Sequence, residues 1–266
     1  MRSSIPSFLL LAALMVGMHA MAQSSKPFDG TWKADLSKIK FPEKPVVLAL
    51  KDGRYQCSTC IPKIDVAADG QDHKISGSPY SDTMRVTVVN PHTVEITSKK
   101  NGQTVATEHE VVSEDGNQLT TEYTGRLDAN SPEMTSKLVS VRVAKGQPGS
   151  HAISGSWREE KATEASATMV TQTFKGLDNG LEMSQPNGAS YSAKFDGKDY
   201  PYKGDPGTTS VSLRRVSSHH IEETDKRNGK IIGVADMTVS PDGQRMTTVF
   251  HDKLQGTTFT FVMDKQ

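Results

Sequence analysis

The chain has 266 residues, 35% of them hydrophobic, with 31 basic and 31 acidic side chains. That length suits one large domain or two ordinary ones. The charge is balanced and the longest basic clusters are Lys99-Lys100 and Arg214-Arg215, so composition offers no footprint for nucleic acid or an acidic surface.

Residues 1–22 have the form of a signal peptide. Arg2 supplies the positive start, Phe8 to Val16 the apolar run, and Ala20-Met21-Ala22 the small-x-small cleavage pattern, which puts the mature N-terminus at Gln23. The alternative for this stretch is a buried N-terminal helix. The run is shorter than the ~20 apolar residues of a membrane helix, and no later stretch approaches that length. No cysteine follows the cleavage point to carry a lipid. The expectation is a periplasmic or secreted protein without a transmembrane segment.

From Gly30-Thr31-Trp32 onward the pattern is that of strands. Val46 to Leu50 and Arg54 to Cys57 flank Asp52-Gly53, a hairpin signal. Met84, Val86 and Val88 alternate with Arg85 and Thr87, and Val94 and Ile96 continue the alternation. A period of two means strands with one buried and one wet face. Long Thr/Val-rich strands follow at 103–113, 117–126 and 135–144, with Asn101-Gly102 and Asp115-Gly116 as turns. Residues 145–152, rich in Gly, Pro and Ser, have the composition of a linker. Beyond it the chain repeats itself. Residues 196–252 align with 69–125 without a gap, matching Asp69/Asp196, Gly77/Gly204, Glu95/Glu222 and Asn101-Gly102/Asn228-Gly229, and Gly155-Ser156-Trp157 restates the opening Gly-x-Trp. Units of this length are domains rather than solenoid repeats. The expected division is a signal peptide at 1–22, a first domain at 26–144, a linker at 145–152 and a second domain at 153–266. Eight to ten antiparallel strands per copy without a helix would close into a barrel or fold over as a sandwich, because closure removes exposed edges.

A Gly-x-Trp opening a small antiparallel barrel resembles the lipocalin (calycin) pattern, and both copies look like the lipocalin-like repeat of uncharacterised exported bacterial proteins. The resemblance implies an all-β fold of two tandem antiparallel barrels. It also implies that each tryptophan closes a barrel end against a basic residue of the last strand: Arg142 for Trp32, and Lys265 as a stand-in for Trp157. The resemblance covers architecture and compartment, and no activity or ligand contact.

Cys57-Ser58-Thr59-Cys60 holds both cysteines of the chain. In an oxidising compartment a disulfide is the expected state. A redox pair or a metal site with His73 as third ligand are the alternatives, although a redox pair normally opens a helix and a metal needs two further ligands. On the buried face, Val88 and Ile96 of the first copy correspond to Arg215 and Glu223 of the second, and His219 falls at the adjacent hairpin tip. A charge inside a barrel is costly, so Arg215 and Glu223 either pair or meet water or a ligand. The alternative is a bulge or strand end that turns one of them outward. For His219-His220 and Glu222-Glu223 a metal site is the alternative reading, but strand alternation leaves only two adjacent ligands per face, and a solvated outer face is the expectation.

No nucleophile elbow, phosphate loop or His-Glu-x-x-His motif is present. No catalytic residue, metal or cofactor is therefore expected. The leading expectation is a non-enzymatic exported protein binding a small hydrophobic or amphipathic molecule, with Arg215, His219 and Glu223 at its site. The alternative is a pair of filled barrels acting as an envelope or extracellular interaction module through a protein partner.

Overall fold

A computed structural model describes residues 26–266. Residues 1–22, expected to be a signal peptide, lie outside the described residues. Each copy contributes ten strands. The first ten are β1 (Gly30–Ala34), β2 (Val46–Lys51), β3 (Arg54–Cys57), β4 (Ile64–Ala67), β5 (Asp72–Lys74), β6 (Thr83–Asn90), β7 (Thr93–Lys100), β8 (Gln103–Val112), β9 (Gln118–Gly125) and β10 (Met134–Lys145). The second ten are β11 (Gly155–Ala165), β12 (Thr171–Leu177), β13 (Gly180–Ser184), β14 (Ser190–Lys194), β15 (Tyr200–Lys203), β16 (Ser210–Ser217), β17 (His220–Arg227), β18 (Lys230–Val239), β19 (Arg245–Asp252) and β20 (Thr257–Lys265). One helical turn, α1 (Ala167–Val170), separates β11 from β12. Strands β6 to β9 and β16 to β19 begin and end at matched positions of the repeat. Their hairpins turn on Asn101-Gly102 and Asn228-Gly229, where both residues of each pair have positive φ, as a two-residue turn that follows strand twist requires.

The fold is all-β, in two antiparallel barrel-like sheets of ten strands. Strand pairing divides the chain differently from the sequence repeat. The first sheet runs β4-β3-β2-β11-β10-β9-β8-β7-β6-β5, and its end strands β4 and β5 are not paired, although β4 comes against β6. The second is a closed barrel, β12 to β20 in order, and the strand that completes the ring is β1. The head strand of each copy thus sits in the other copy's sheet. Trp32 pairs with Gln172 on β12 and Lys265 on β20, whereas Trp157 pairs with Arg142 on β10 and Val46 on β2. Residues 145–152, expected as a linker, are the loop joining the paired strands β10 and β11. The connections between sheets are instead 35–45 and the α1 turn. Similarity between copies reveals the length of the repeat but not where its folded unit begins, so 26–144 and 46–165 were equivalent divisions of the same pattern.

Both head strands are built alike. The indole N–H of Trp32 donates to Phe28 O at 2.8 Å, and that of Trp157 to Ile153 O at 2.7 Å. Both tryptophans are fully buried, one in each core. The cations that cover them are exchanged from the expected pairing: Arg142 lies 3.9 Å above the Trp157 ring, and Lys265 lies 5.1 Å from that of Trp32. Arg142 also donates to the carbonyls of Gly116, Ser154 and Ala152, so its charge is fully engaged. The glycine two residues before each tryptophan makes room for this cover. A Cβ on Gly155, at φ +144°, would stand 2.4 Å from Ala144 O and 2.6 Å from Arg142 Nη1, and one on Gly30 would stand 2.6 Å from Lys265 Cε.

The exchange is testable by coupling energies. In a double-mutant cycle, Arg142→Met with Trp157→Phe should couple by about 0.5–2 kcal/mol, and Arg142→Met with Trp32→Phe by less than about 0.5 kcal/mol. Coupling of Arg142 to Trp32 instead would return each head strand to its own copy. Gly155→Ala should cost about 2–5 kcal/mol in urea unfolding, through strain and overpacking together.

Candidate functional site

One cavity lies inside the second barrel and another between the sheets. Inside the second barrel, period-two alternation turns Ile221, Glu223 and Asp225 of β17 toward the interior. The Tyr191 hydroxyl donates to Glu223 Oε2, and the Tyr191 and Tyr202 rings lie 5.7 Å apart. Asp225 Oδ1 is buried without a hydrogen-bond partner. These side chains border a cavity of about 240 Å³ whose walls include Tyr202, Asp205, Glu223, Asp225 and Phe250 and no Lys, Arg or His. Burial, then the charge of Asp225, drives the Glu223 carboxyl far above its ordinary range. Burial likewise pushes Asp225 up to about 6.

The three ligand-site candidates do not converge. Glu223 faces this cavity, but Arg215 does not pair with it. Across the β16–β17 ladder Glu223 stands opposite Leu213, while Arg215 stands opposite Ile221, nearer the hairpin end. The Arg215 guanidinium lies 4.2 Å over the Phe195 ring, with Nη2 buried and unpartnered. His219 sits in the β16–β17 turn and shares a hydrogen bond with Ser218 Oγ at 3.0 Å. On the outer face, Arg214 pairs with Glu222, and His220 with Asp236. Of the other tyrosines, Tyr80 reaches across from the first sheet to Asp205 at 2.9 Å, and Tyr200 bonds Asp196.

The first barrel holds an acid pair of its own that position-by-position matching of the copies overlooks. Glu108 and Glu110 of β8 face inward beside Tyr55 and Tyr123. Glu108 stands opposite Ile96 on β7, whereas in the second barrel Glu223 stands opposite Ala235 on β18. Ile96 matches Glu223 and Glu108 matches Ala235, so the carboxyl has moved to the cross-strand neighbour. Glu110 is 6% exposed with Oε2 unpartnered, and burial followed by the charge of Glu108 pushes it up to about 8.

The cysteines form a disulfide at the end of β3. His73, the alternative metal ligand, bonds Asp69 at 2.8 Å. Among the described residues no group of three or more His, Cys, Asp or Glu side chains is arranged to hold a metal ion.

The larger cavity, about 580 Å³, lies where the chain crosses between the sheets. Leu36, Ile39, Phe41 and Pro42 of the 35–45 crossing form one side, and Met169 and Val170 of the α1 turn form another. Leu138, Ala162 and Ala165 come from the first sheet, and Phe259, Phe261 and Met263 from β20. Cys60 also faces it. Phe261 and Gln172 border both cavities and separate them. Of the charged groups in its wall, Lys44 donates to Gln255 O at 2.8 Å, and Asp252 accepts from the backbone N–H groups of Leu254 and Gln255. Glu159 has no such engagement, and burial raises its carboxyl above the ordinary range.

The buried acids fix the sign of the pH dependence. The folded state binds protons on Glu110, Glu223 and Asp225 more readily than the unfolded chain, whose carboxyls titrate near 4. Stability contributed by these groups is therefore present at low pH and is lost as pH rises through about 6 for Asp225 and about 8 for Glu110. Surface carboxylates work the other way: Asp35, held down at about 2 by Lys38 and Ser37, loses its contribution only as pH falls below about 4. Thermal unfolding should show Tm highest near about pH 5 and falling toward about pH 8, and Glu110→Gln should flatten that fall. A wild-type Tm that climbs from pH 5 to pH 8 would contradict the assignment of these acids as buried and protonated.

Comparison with protein-family models, with curated proteins and with solved structures finds no match.

Proposed function

We propose that this chain is an exported, non-enzymatic binding protein that holds one small, partly apolar molecule in the cavity between its two barrels. The observation that carries this reading is the 580 Å³ space between the sheets, walled mainly by aliphatic and aromatic side chains. Ligand sites are typically of this size and favour domain junctions. The barrel interiors support the same choice of location. Trp32, Leu213, Met246 and Met263 fill much of the second barrel and leave it the smaller, acid-lined cavity, and Trp157, Val86, Val94 and Leu119 pack the first, so the larger and more apolar room for a ligand is between them. Export is supported by the signal pattern of residues 1–22 and by the disulfide, a bond that persists in oxidising compartments. A likeness to lipocalins is supported by the geometry of the two head tryptophans, each covered by a basic side chain.

The packed apolar cores also favour a second reading, an interaction module working through its surface. Val88, Val89 and Val216, exposed at matched hairpins of the two sheets, would be its natural contact points.

The two readings part on what happens when the cavity is filled. N-Phenyl-1-naphthylamine should bind the mature chain with enhanced fluorescence. Ala162→Phe with Ala165→Phe, which put rings into the cavity wall, should weaken that binding by at least about tenfold while Tm moves by only a few degrees. Unchanged binding in a folded double variant would remove the cavity from consideration and leave the surface reading.

A further inference from the structure

Resting on the cavity reading, we infer that the molecule held between the barrels is an amphiphile with a cationic amine head, seated against the carboxyl of Glu159. Glu159 belongs to β11, the exchanged strand, on the stretch that passes from the first sheet toward the α1 turn. The cavity wall around it is apolar, with Leu138, Ala162 and Met169 among its members. The two other charged residues of the wall are committed elsewhere: Lys44 to the carbonyl of Gln255, and Asp252 to the amides of its own turn. The neighbouring cation in sequence, Arg158, turns away to Glu43 at 3.4 Å. Glu159 is thus left, among the described residues, without an ion pair or hydrogen bond.

A carboxyl in such a place has no protein cation to stabilise its ionised form, and desolvation holds it toward the neutral acid. Removal of a lone charge from water is costly unless a partner arrives with the opposite sign. An alkylammonium supplies that partner, and its chain covers the apolar wall. A carboxylate or phosphate head gains no ion pair from either form of the acid: the ionised form repels it, and the neutral form offers it a single hydrogen bond. A neutral alcohol would gain the apolar contact and one hydrogen bond, without the ion pair. The chemistry therefore ranks the heads as amine, then alcohol, then carboxylate, at equal chain length.

The ranking is read by calorimetry on the mature wild-type chain at pH 7 with dodecylamine, dodecanol and dodecanoate, and by displacement of N-phenyl-1-naphthylamine. Dodecylamine is expected to bind at least about tenfold more tightly than dodecanoate, with dodecanol between them. In Glu159→Gln the probe and dodecanol should bind as in wild type while the amine preference falls to within about threefold of the alcohol. Equal binding of the three heads, or tightest binding of dodecanoate, overturns the head-group assignment and leaves the cavity reading intact. Persistence of the full amine preference in Glu159→Gln overturns the role of Glu159. Binding of neither the probe nor any dodecyl compound removes the cavity reading and the head assignment with it. The wild-type ranking needs no variant, so a folding defect in Glu159→Gln leaves the test standing.

Discussion

The pairing of β1 with β12 and β20 is the contact on which the arrangement depends. It closes the second barrel, buries Trp32, and brings Gln266 N–H to Thr31 O at 2.9 Å. Because β1 belongs to one barrel and β2 to the other, the intervening 35–45 segment must cross the gap. For the same reason α1 must carry the chain back from β11 to β12. These two crossings are walls that turn a seam between sheets into a deep, partly open cleft. Strand exchange and cavity are therefore one feature seen at two scales. The glycine two residues before each ring leaves the space into which the covering cation fits, Arg142 beside the Ala144 carbonyl at Gly155 and the Lys265 chain at Gly30.

The interiors of the barrels show how a repeat can keep a property while moving the residues that provide it. Each barrel contains two carboxyls with two tyrosines nearby, although no acid of the first set aligns with an acid of the second. What is shared is a location on the inner face of a β-ladder, reached from either of two facing strands. Neighbours opposite one another in a ladder stand only about 5 Å apart, so a carboxyl on one strand occupies nearly the space of a carboxyl on the other. Tyr191 holds Glu223 by a hydrogen bond, and both acid pairs sit in surroundings that favour the protonated form.

Much of the fold was legible in the sequence for clear reasons. Alternation at Met84 to Val88 and at Val94 to Ile96, and the Asn-Gly turns, specify strands and their hairpins through local geometry. A disulfide between Cys57 and Cys60 followed from spacing and compartment. The exchange of head strands was not legible, because the Gly-x-Trp strand carries the same pattern whichever sheet it joins. Glu223 was found because a charge at a buried position stands out against Ile96. Glu108 and Glu110 were missed because their matches, Ala235 and Met237, made the difference look like ordinary polar decoration of a first copy. The inward alternation of Glu108 and Glu110 with Val112 on β8 was the signal that would have found them. The larger cavity was beyond reach, since Leu36, Leu138 and Phe259 are far apart in the chain and meet only through the crossings.

A polypeptide leaves the ribosome with its N-terminus leading. Residues 46–165 contain every strand of the first sheet in one unbroken span, so that sheet has all its members once Ala165 emerges. The other ring has its opening strand first and its closing partner last, with more than two hundred residues between β1 and β20. Loop closure over that span costs about 2 kcal/mol more than over about twenty residues, a modest entropic burden. The larger consequence is temporal. Strand β1 can pair with β12 once that strand has emerged, but its other edge must wait for β20, so the folding of this protein has a built-in final step: the barrel, and the cleft beside it, can be completed only after the last residues are free.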